Sequence, residues 1–270
     1  MKLGFIGTGN MATAIIQAIV AKEFIKGSQL YLYDIHSEKL AELSATIASQ
    51  TCASTKEVAE AVDFLILSVK PNMIETVLSE IKETITTKKV VVVSIAAGIT
   101  LNRLAEFIGT EETPILRVMP NVNAMVGAGA AAVTGNLAVT KEQLTFIIDL
   151  FNTVGKAWEV AEKDFSAFTA LAGSSPAYTY LFIDSLARAG VKHGLTKENA
   201  LAYATQAVLG SAEMLQSSKE NPWSLIDKVS SPGGTTVAGL LALEEEAFIA
   251  TVVKGVDATI VRDEEMKKML

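Results

Sequence analysis

Two stretches of small and hydroxyl residues have the composition of an anion-binding site. The first is Gly7-Thr8-Gly9-Asn10-Met11-Ala12, a Gly-x-Gly-x-x-Ala sequence between a short apolar run and a helical pattern. Its first glycine permits a tight turn, its second lets the backbone approach a pyrophosphate, and Ala12 allows close helix–strand packing. N–H groups at the start of the helix then meet the phosphates. This stretch predicts a dinucleotide site; the alternative is a tight turn without a ligand.

The second stretch is Val229-Ser230-Ser231-Pro232-Gly233-Gly234-Thr235-Thr236, placed immediately before a predicted helix. Serine hydroxyls, consecutive N–H groups and a helix N-terminus together suit an anion such as a carboxylate. The alternative is an ordinary helix cap after a glycine turn. We favour ligand binding, because two glycines beside these hydroxyl residues exceed what a cap needs.

Composition argues against several other classes of protein and site. The formal net charge is −7, which argues against a nucleic-acid partner. Two histidines and the single Cys52 argue against a metal site rich in His or Cys. Apolar runs fall short of the roughly 18 residues of a membrane helix. One cysteine fits a reducing compartment, so we expect a cytoplasmic protein that binds neither membrane nor metal.

Alternating strand and helix patterns position the first stretch. Buried strands are predicted near residues 2–7, 29–33, 63–69, 89–97 and 114–119. Their alternation with helices through about residue 160 implies parallel βαβ units and a Rossmann-like, doubly wound α/β sheet. Only helical patterns rich in Ala and Leu follow. We therefore predict a dinucleotide-binding domain over residues 1–161 and an all-helical domain over residues 162–270.

The carboxyl ends of the predicted strands form the expected ligand edge of this sheet. Asp34 ends the second strand, about 25 residues beyond Gly9, near the spacing of an acid that binds a ribose 2′-hydroxyl. Ser68 to Pro71, Ala96 to Gly98 and Pro120-Asn121 end later strands. Each could be an ordinary βα turn, but together with the glycine sequence they favour a cofactor groove.

The helical half carries two further features. Gly173-Ser174-Ser175-Pro176-Ala177-Tyr178 interrupts an apolar helix, where a proline frees a backbone carbonyl and usually causes a kink. A ligand site and a packing kink both remain open for this segment. The helices are also unusually apolar, so they either fold tightly on the first domain or bury their faces against another subunit.

These motifs together resemble the pyrroline-5-carboxylate reductase family over essentially the whole chain. The motifs that carry the resemblance are Gly4-Phe5-Ile6-Gly7-Thr8-Gly9-Asn10-Met11, Val69-Lys70-Pro71, Ser94-Ile95-Ala96-Ala97-Gly98-Ile99-Thr100, Met119-Pro120-Asn121, Gly173 to Tyr178 and Val229 to Thr236. The resemblance implies a Rossmann domain, an all-α dimerisation domain, and a homodimer that often assembles into a decamer. It implies hydride transfer from NADPH or NADH to the C=N carbon of Δ1-pyrroline-5-carboxylate, which gives L-proline, the last step of proline biosynthesis.

The resemblance also implies roles for individual residues. Those that would hold the pyrophosphate are Ile6, Gly7, Thr8, Gly9, Asn10 and Met11. Those that would line the adenosine and nicotinamide groove are Thr55, Ser68, Val69, Lys70, Pro71, Ala96, Ala97 and Gly98. Ser231, Gly233, Gly234 and Thr235 would bind the substrate carboxylate, and the catalytic Thr236 hydroxyl would meet the ring nitrogen.

The chain departs from the family pattern at two places. It has Asn121-Val122-Asn123 where the family commonly has Asn-Thr-Pro. It has Asp34-Ile35-His36-Ser37 where many members carry residues that accept a 2′-phosphate, so the local charge favours NADH while family habit favours NADPH.

Three alternative functions are weighed against the reductase. One is a different imine dehydrogenase, and another is a 3-hydroxyacid dehydrogenase of similar two-domain plan. Enzymes of the latter kind resemble one another in a catalytic lysine on the first long helix of the second domain, and residues 173–181 contain no lysine. The third is a cofactor-binding regulator without activity, against which the anion site at Ser231 to Thr236 counts.

Overall fold

The apolar runs predicted as strands pair into one eight-stranded sheet in the computed structural model, which describes residues 1–268. The strand order is β3-β2-β1-β4-β5-β6-β7-β8. Strands β2 and β3 lie on one side of β1, and β4 lies on its other side. This reversal between β1 and β4 is the topological switch point of a doubly wound fold. The strands are β1 Leu3–Ile6, β2 Leu30–Tyr33, β3 Gln50–Thr51, β4 Phe64–Leu67, β5 Val91–Ser94, β6 Ile115–Pro120, β7 Gly129–Gly135 and β8 Gly155–Glu159.

One strand direction differs from the sequence prediction. The first six strands in chain order are mutually parallel, but β7 runs antiparallel to β6, and β8 is parallel to β7. The expectation of parallel units through residue 160 was therefore wrong for this edge. The reason is the connection: a 3₁₀ turn at Val122–Val126 joins β6 to β7, and a parallel return needs a longer crossover. The mostly parallel Rossmann-like sheet itself is confirmed.

Twelve α-helices surround or follow the sheet in the described residues. They are α1 Asn10–Ala21, α2 Ser37–Ile47, α3 Thr55–Ala61, α4 Ile74–Lys88, α5 Leu101–Ile108, α6 Lys141–Asn152, α7 Phe165–Phe168, α8 Ser175–Lys192, α9 Lys197–Ser217, α10 Pro222–Val229, α11 Thr235–Glu245 and α12 Phe248–Lys267. A π-helical turn at Thr169–Ser174 precedes α8. The all-helical second half is confirmed.

Helices cover both faces of the sheet. Alternate strand residues enter two separate cores: Leu3 and Phe5 face one, while Ile6 faces the other. The first core packs against α1, α2 and α6, and the second against α3, α4 and α5. Burial on both faces explains why these strands read as continuous apolar runs, and it leaves the carboxyl ends of the strands as the place for polar loops.

Side chains on one face of β6 contact the segment that follows β8. Arg117, Met119 and Asn121 are two residues apart in extended chain, so they share that face. Arg117 is buried, pairs with Glu162 at 2.9 Å and lies over the Phe165 ring at 4.5 Å. Glu162 also accepts the Leu101 N–H at 2.8 Å. The strand thus fixes the start of the helical part of the chain.

The described chain forms two compact units, Met1–Gly173 with the residues from Thr259 onward, and Ser174–Ala258. The predicted boundary at residues 161 and 162 precedes this division and stays a prediction. Met269 and Leu270, the end of the predicted helical domain, lie outside the described residues.

The second unit contains a tight antiparallel pair, α8 and α9. A Cβ added at Gly190 would come within 3.0 Å of Ala200 Cβ, so small residues set this close approach. The buried hydrophobic residues of this unit, within the described chain, are Ala187, Ala200 and Ala204. Most of its larger apolar side chains are exposed, Tyr180, Leu181 and Leu209 among them.

Candidate active site

The glycine turn between β1 and α1 is held by its first glycine. Gly7 has a φ of +95°, in the left-handed region that favours glycine. A Cβ at this position would lie 2.8 Å from the Ser68 carbonyl oxygen at the end of β4. Position 7 therefore requires glycine for two independent reasons, and the turn lies at the switch point between β1 and β4.

Hydroxyl groups fix the same turn from two sides. Ser68 Oγ donates to the Gly7 carbonyl at 2.5 Å, and Thr13 Oγ1 donates to the Thr8 carbonyl at 2.9 Å. Ser68 was predicted to line the cofactor groove, and its hydroxyl is engaged by the turn. Its effect on a bound nucleotide would accordingly be exerted through the position of Gly7.

Asp34 is joined to the turn by its carboxylate. Oδ2 accepts the Thr8 N–H at 2.6 Å and the Thr8 hydroxyl at 3.1 Å, while Oδ1 accepts the His36 N–H at 2.8 Å. Partial burial by itself would raise the pKa of Asp34. The hydrogen bonds from Thr8 and His36, with the nearby His36 charge, outweigh burial and lower that pKa below its ordinary value. Asp34 is therefore an ionised group at neutral pH.

A cleft of about 460 Å³ opens beside this turn. It brings together Thr8, Gly9, Asn10 and Asp34 from the predicted set. Residues of α1 and α2, with His36 at the N-cap of α2, complete it: Thr13, Gln17, Lys39, Glu42, Leu43, Thr46 and His36. The cleft is thus a polar groove with charges of both signs, at the carboxyl ends of β1 and β2.

The residues of this cleft fit a dinucleotide. Gly9 is the N-cap of α1 and has no side chain with which to cap it, so the first-turn N–H groups are available to a phosphate. A Cβ at Gly9 would meet no atom within 4 Å and would project into open space. Gly9 is not needed for packing, and the space it leaves matches the approach of a pyrophosphate.

The remaining predicted cofactor residues have differing surroundings. Ile6 is buried in the second core, and Met11 is partly buried against the first, so their side chains serve packing. The Thr55 hydroxyl donates to Glu80 on α4 at 2.8 Å. Val69, Lys70 and Pro71 lead from β4 into a 3₁₀ turn, and Ala96, Ala97 and Gly98 follow β5. These two loops follow neighbouring strand ends but do not line the 460 Å³ cleft.

The second predicted anion site is a tight turn that leads into α11. Gly234 N donates to the Ser231 carbonyl at 2.9 Å, with Pro232 and Gly233 between them and a φ of +67° at Gly233. This is the residue pattern of a type II turn. A Cβ at Gly234 would lie 2.9 Å from the Ser231 carbonyl oxygen, a backbone atom, so the turn favours glycine there as well.

Gly234 is also the N-cap of α11, again without a side-chain cap. Thr235 and Thr236 are the first two residues of the helix and are exposed on the isolated chain. Among the described residues, Ser230 Oγ is a buried oxygen without a hydrogen-bond partner. The loop therefore groups first-turn N–H groups and hydroxyls, the donors that a carboxylate takes.

Sequence reasoning missed part of the cleft, namely Thr13, Gln17, Glu42, Leu43 and Thr46. Glu42 and Thr46 follow Lys39 at helical spacing on α2, a pattern that could have placed them on one face. Within residues 1–268, no group of three or more His, Cys, Asp or Glu could hold a metal ion. In the same part of the chain, no helix has both the length and the apolarity to span a membrane.

Two family models match the chain. The one described as pyrroline-5-carboxylate reductase dimerisation matches residues 162–266. The one described as NADP oxidoreductase, coenzyme F420-dependent, matches residues 2–98. Between them they cover the glycine turn after β1 and the turn before α11.

Several proteins at 34–42% identity that match nearly the full length of the chain are named as pyrroline carboxylate reductases. The pyrroline-5-carboxylate reductase of Escherichia coli (strain K12) is 38% identical over 267 residues, covering 99% of this chain and 98% of that one. The crystal structure of 1-pyrroline-5-carboxylate reductase from Streptococcus pyogenes has a TM-score of 0.85 and 42% identity, covering 98% of each chain. A structure of Plasmodium falciparum pyrroline carboxylate reductase with NADP bound has a TM-score of 0.87 and 34% identity, covering 99% of this chain and 98% of that one. The chain belongs to the pyrroline-5-carboxylate reductase family, whose members are NAD(P)H-dependent oxidoreductases.

Proposed function

We propose that this protein reduces Δ1-pyrroline-5-carboxylate to L-proline with NADPH or NADH. The observation that carries the proposal is the shared construction of its two motif loops. Gly9 and Gly234 are both N-caps without a side chain, whereas Ser54, Thr100, Thr140, Thr196 and Asn221 cap other helices with their side chains. The N-caps of α2, α4, α7 and α8 also make no side-chain cap, but each of them carries a side chain. The two glycine-capped starts, of α1 and α11, suit two anions, a pyrophosphate and a carboxylate.

The cofactor groove would be formed by the first unit. The α1 N-terminus would hold the pyrophosphate through backbone N–H groups, because Gly9 leaves room for it. Asp34 keeps the turn in place and presents a carboxylate to the ribose, and Lys39 brings a positive charge into the same cleft. The bound reduced nicotinamide supplies a hydride.

The turn before α11 would bind the substrate. First-turn N–H groups, with the Ser231 and Thr235 hydroxyls, would hold the carboxylate, and Thr236 would donate or accept a hydrogen bond at the ring nitrogen. The tight Ser231 to Gly234 turn fixes these groups relative to one another. Positioning of this kind lowers the barrier by aligning the reacting carbon, and it needs no charged side chain in the loop.

The substrate can account for the proton that the reaction requires. A cyclic imine is more basic than a carbonyl group and can bind already protonated. Hydride addition to the C=N carbon then converts the iminium to an amine and balances the charge. The protein's tasks are to orient the ring and to exclude water.

The same proposal includes assembly and location. The dimerisation family model and the exposed apolar side chains of α8 and α9 support a homodimer, with a decamer built from such dimers as the larger assembly. We place the protein in the cytoplasm, where its reduced nucleotide would be available. A single free cysteine, Cys52, is compatible with that compartment.

The direct test is a reductase assay with Δ1-pyrroline-5-carboxylate and either nucleotide. The absorbance of the reduced nicotinamide should fall only when the imine is present. Chromatography should identify L-proline as the product. Turnover of 3-hydroxyacids in place of the imine would favour the dehydrogenase alternative. Nucleotide binding without turnover of either substrate would favour the regulator.

A further inference from the structure

The Gly173 to Tyr178 motif has no role in the function proposed above, although it was conspicuous in the sequence. In the structure a π-helical turn, Thr169–Ser174, runs directly into α8, and Pro176 is the second residue of that helix. Proline has no N–H, and its ring excludes the carbonyl four residues earlier from the usual helical position. That carbonyl belongs to Ala172. Single π turns inside helices are frequent at functional sites.

Asn121 provides the Ala172 carbonyl with a donor from outside the helix. Its side-chain Nδ2 donates to Ala172 O at 2.9 Å. Its Oδ1 accepts the Ala130 N–H at 3.0 Å, and its own N–H donates to the Ala130 carbonyl at 3.1 Å. Asn121 is only 6% exposed. Because Oδ1 is committed to an N–H, the amide has one orientation, with Nδ2 toward the π turn.

The place of this contact in the sheet connects it to the ligand edge. Asn121 directly follows β6, at the same edge as the loops after β1, β4 and β5. Met119, two residues earlier on the same face, lies against Gly173: a Cβ there would be 3.1 Å from Met119 Cε. Ala172 and Gly173 are thus held by neighbouring side chains of one strand end.

We propose that Asn121 is a positioning residue for hydride transfer: it replaces the hydrogen bond that Pro176 denies to Ala172 and so fixes the Ala172-Gly173 backbone at the ligand edge of the sheet. The inference rests on the proposed reductase function for its kinetic consequence. The hydrogen bond itself, between the buried Asn121 amide and the Ala172 carbonyl, is independent of which substrate is reduced.

The first experiment removes the donor and keeps the acceptor. Asn121→Asp retains an oxygen for the Ala130 N–H but removes the Nδ2 donor to the Ala172 carbonyl. We expect single-turnover hydride transfer to slow roughly tenfold, as for a lost buried hydrogen bond. The dissociation constant for NADPH should not change. Hydrogen exchange at residues 169–174 should become faster, a readout that needs no activity.

Asn136→Asp is the matched control. Asn136 has the same kind of bonds at the other end of β6: Nδ2 donates to Thr113 O at 2.8 Å, and Oδ1 accepts the Ile115 N–H at 3.1 Å. We expect it to lower the apparent Tm without slowing hydride transfer or changing exchange at residues 169–174. Equal slowing by both variants would mean a general loss of stability and would overturn the positioning role.

The second experiment restores the partner from within the helix. Pro176→Ala introduces an N–H four residues after Ala172, so Asn121→Asp combined with Pro176→Ala should recover both exchange protection and hydride-transfer rate. Strictly additive effects would show that Asn121 and Pro176 do not serve the same carbonyl, and the proposal would fail. If Asn121→Asp does not accumulate as folded protein, Asn121→Ser takes its place in the same cycle.

These readouts separate this proposal from the proposed function. Absence of imine reduction by the unaltered protein would reject the reductase, and exchange would still test the Asn121 contact. Faster hydrogen exchange at residues 169–174 with an unchanged hydride-transfer rate would show that Asn121 has only a structural role. Unchanged exchange in Asn121→Asp would reject the contact itself.

Discussion

The carboxylate of Asp34 accepts both the backbone N–H and the hydroxyl of Thr8, at 2.6 and 3.1 Å. This contact joins the end of β2 to the glycine turn after β1, two strands that lie side by side in the sheet. The residue predicted to select the nucleotide ribose thus also holds the loop predicted to bind the pyrophosphate. Substitutions at Asp34 will report on both tasks unless they are designed to separate them.

We predict that removing the Asp34 charge shifts preference toward NADPH. A carboxylate about 4 Å from a 2′-phosphate charge costs roughly 4 kcal/mol at an effective dielectric near 20, before screening. Asp34→Asn keeps an oxygen for the Thr8 N–H, and Asp34→Ser does not reach as far. Both should raise the NADPH-to-NADH ratio of kcat/KM about tenfold, equivalent to roughly 1.4 kcal/mol. If the ratio stays constant in both variants, Asp34 does not interact with the ribose.

Because the pKa of Asp34 is lowered in the folded state, we predict that this residue makes a pH-dependent contribution to the free energy of unfolding. A carboxyl whose pKa is lower in the folded state stabilises that state above the pKa of the unfolded chain. The contribution is lost as pH falls below about 4 and through the folded-state value. Chemical unfolding of the wild type and of Asp34→Asn should therefore give free energies that converge at low pH. A gap that persists undiminished in acid would contradict this.

We predict that Thr236→Ala slows turnover while nucleotide binding persists. Loss of a hydrogen bond to a charged partner costs roughly 1.5–3 kcal/mol, about ten- to a hundredfold in rate. Thr236→Ser should retain most of the activity, because the hydroxyl remains at the second residue of α11. Fluorescence titration with NADPH serves as the binding control. Full turnover by the alanine variant, in the steady state and in the first turnover, would remove Thr236 from the mechanism.

The exposed apolar side chains of the second unit predict a subunit interface. Its buried hydrophobic residues in the described chain are three alanines, while Leu181 on α8 is 67% exposed. A stable obligate interface typically buries roughly 2,000 Å² or more. Sedimentation should show at least a dimer, and Leu181→Glu should weaken it. Leu137→Glu, at a fully exposed loop residue of the first unit, is the control. A folded, active monomer at micromolar concentration would refute the interface.

Cys52 should resist alkylation in the folded protein. Burial, followed by the nearby Glu57 charge, raises the pKa of its thiol to about 11. The thiolate is the reactive form, so iodoacetamide at pH 8 should react over a hundredfold more slowly than with an ordinary thiol, whose pKa is about 8.5. Mass spectrometry of native and denatured samples measures the difference. Rapid labelling of the native protein would show that the thiol is accessible and ionised.

Local sequence determined the fold class and the motif loops of this protein. The βα alternation and the tight glycine turns are properties of short segments, so they can be read without tertiary contacts. Gly7 illustrates this: the tight turn that its sequence context predicts is the turn that the structure contains. The family resemblance rested on the same kind of local pattern and was confirmed over nearly the whole chain.

Only the tertiary structure decided how side chains distant in sequence share their hydrogen bonds. Asp34 with Thr8, Asn121 with Ala172 and Arg117 with Glu162 are pairs brought together by strand order and by the return of the chain after β8. The reversed direction of β7 belongs here as well, since it depends on which short connection β6 receives. A single sequence shows which groups are present, but the partners of the buried polar groups are fixed by the packing of the whole sheet, because an unpaired buried donor or acceptor is costly.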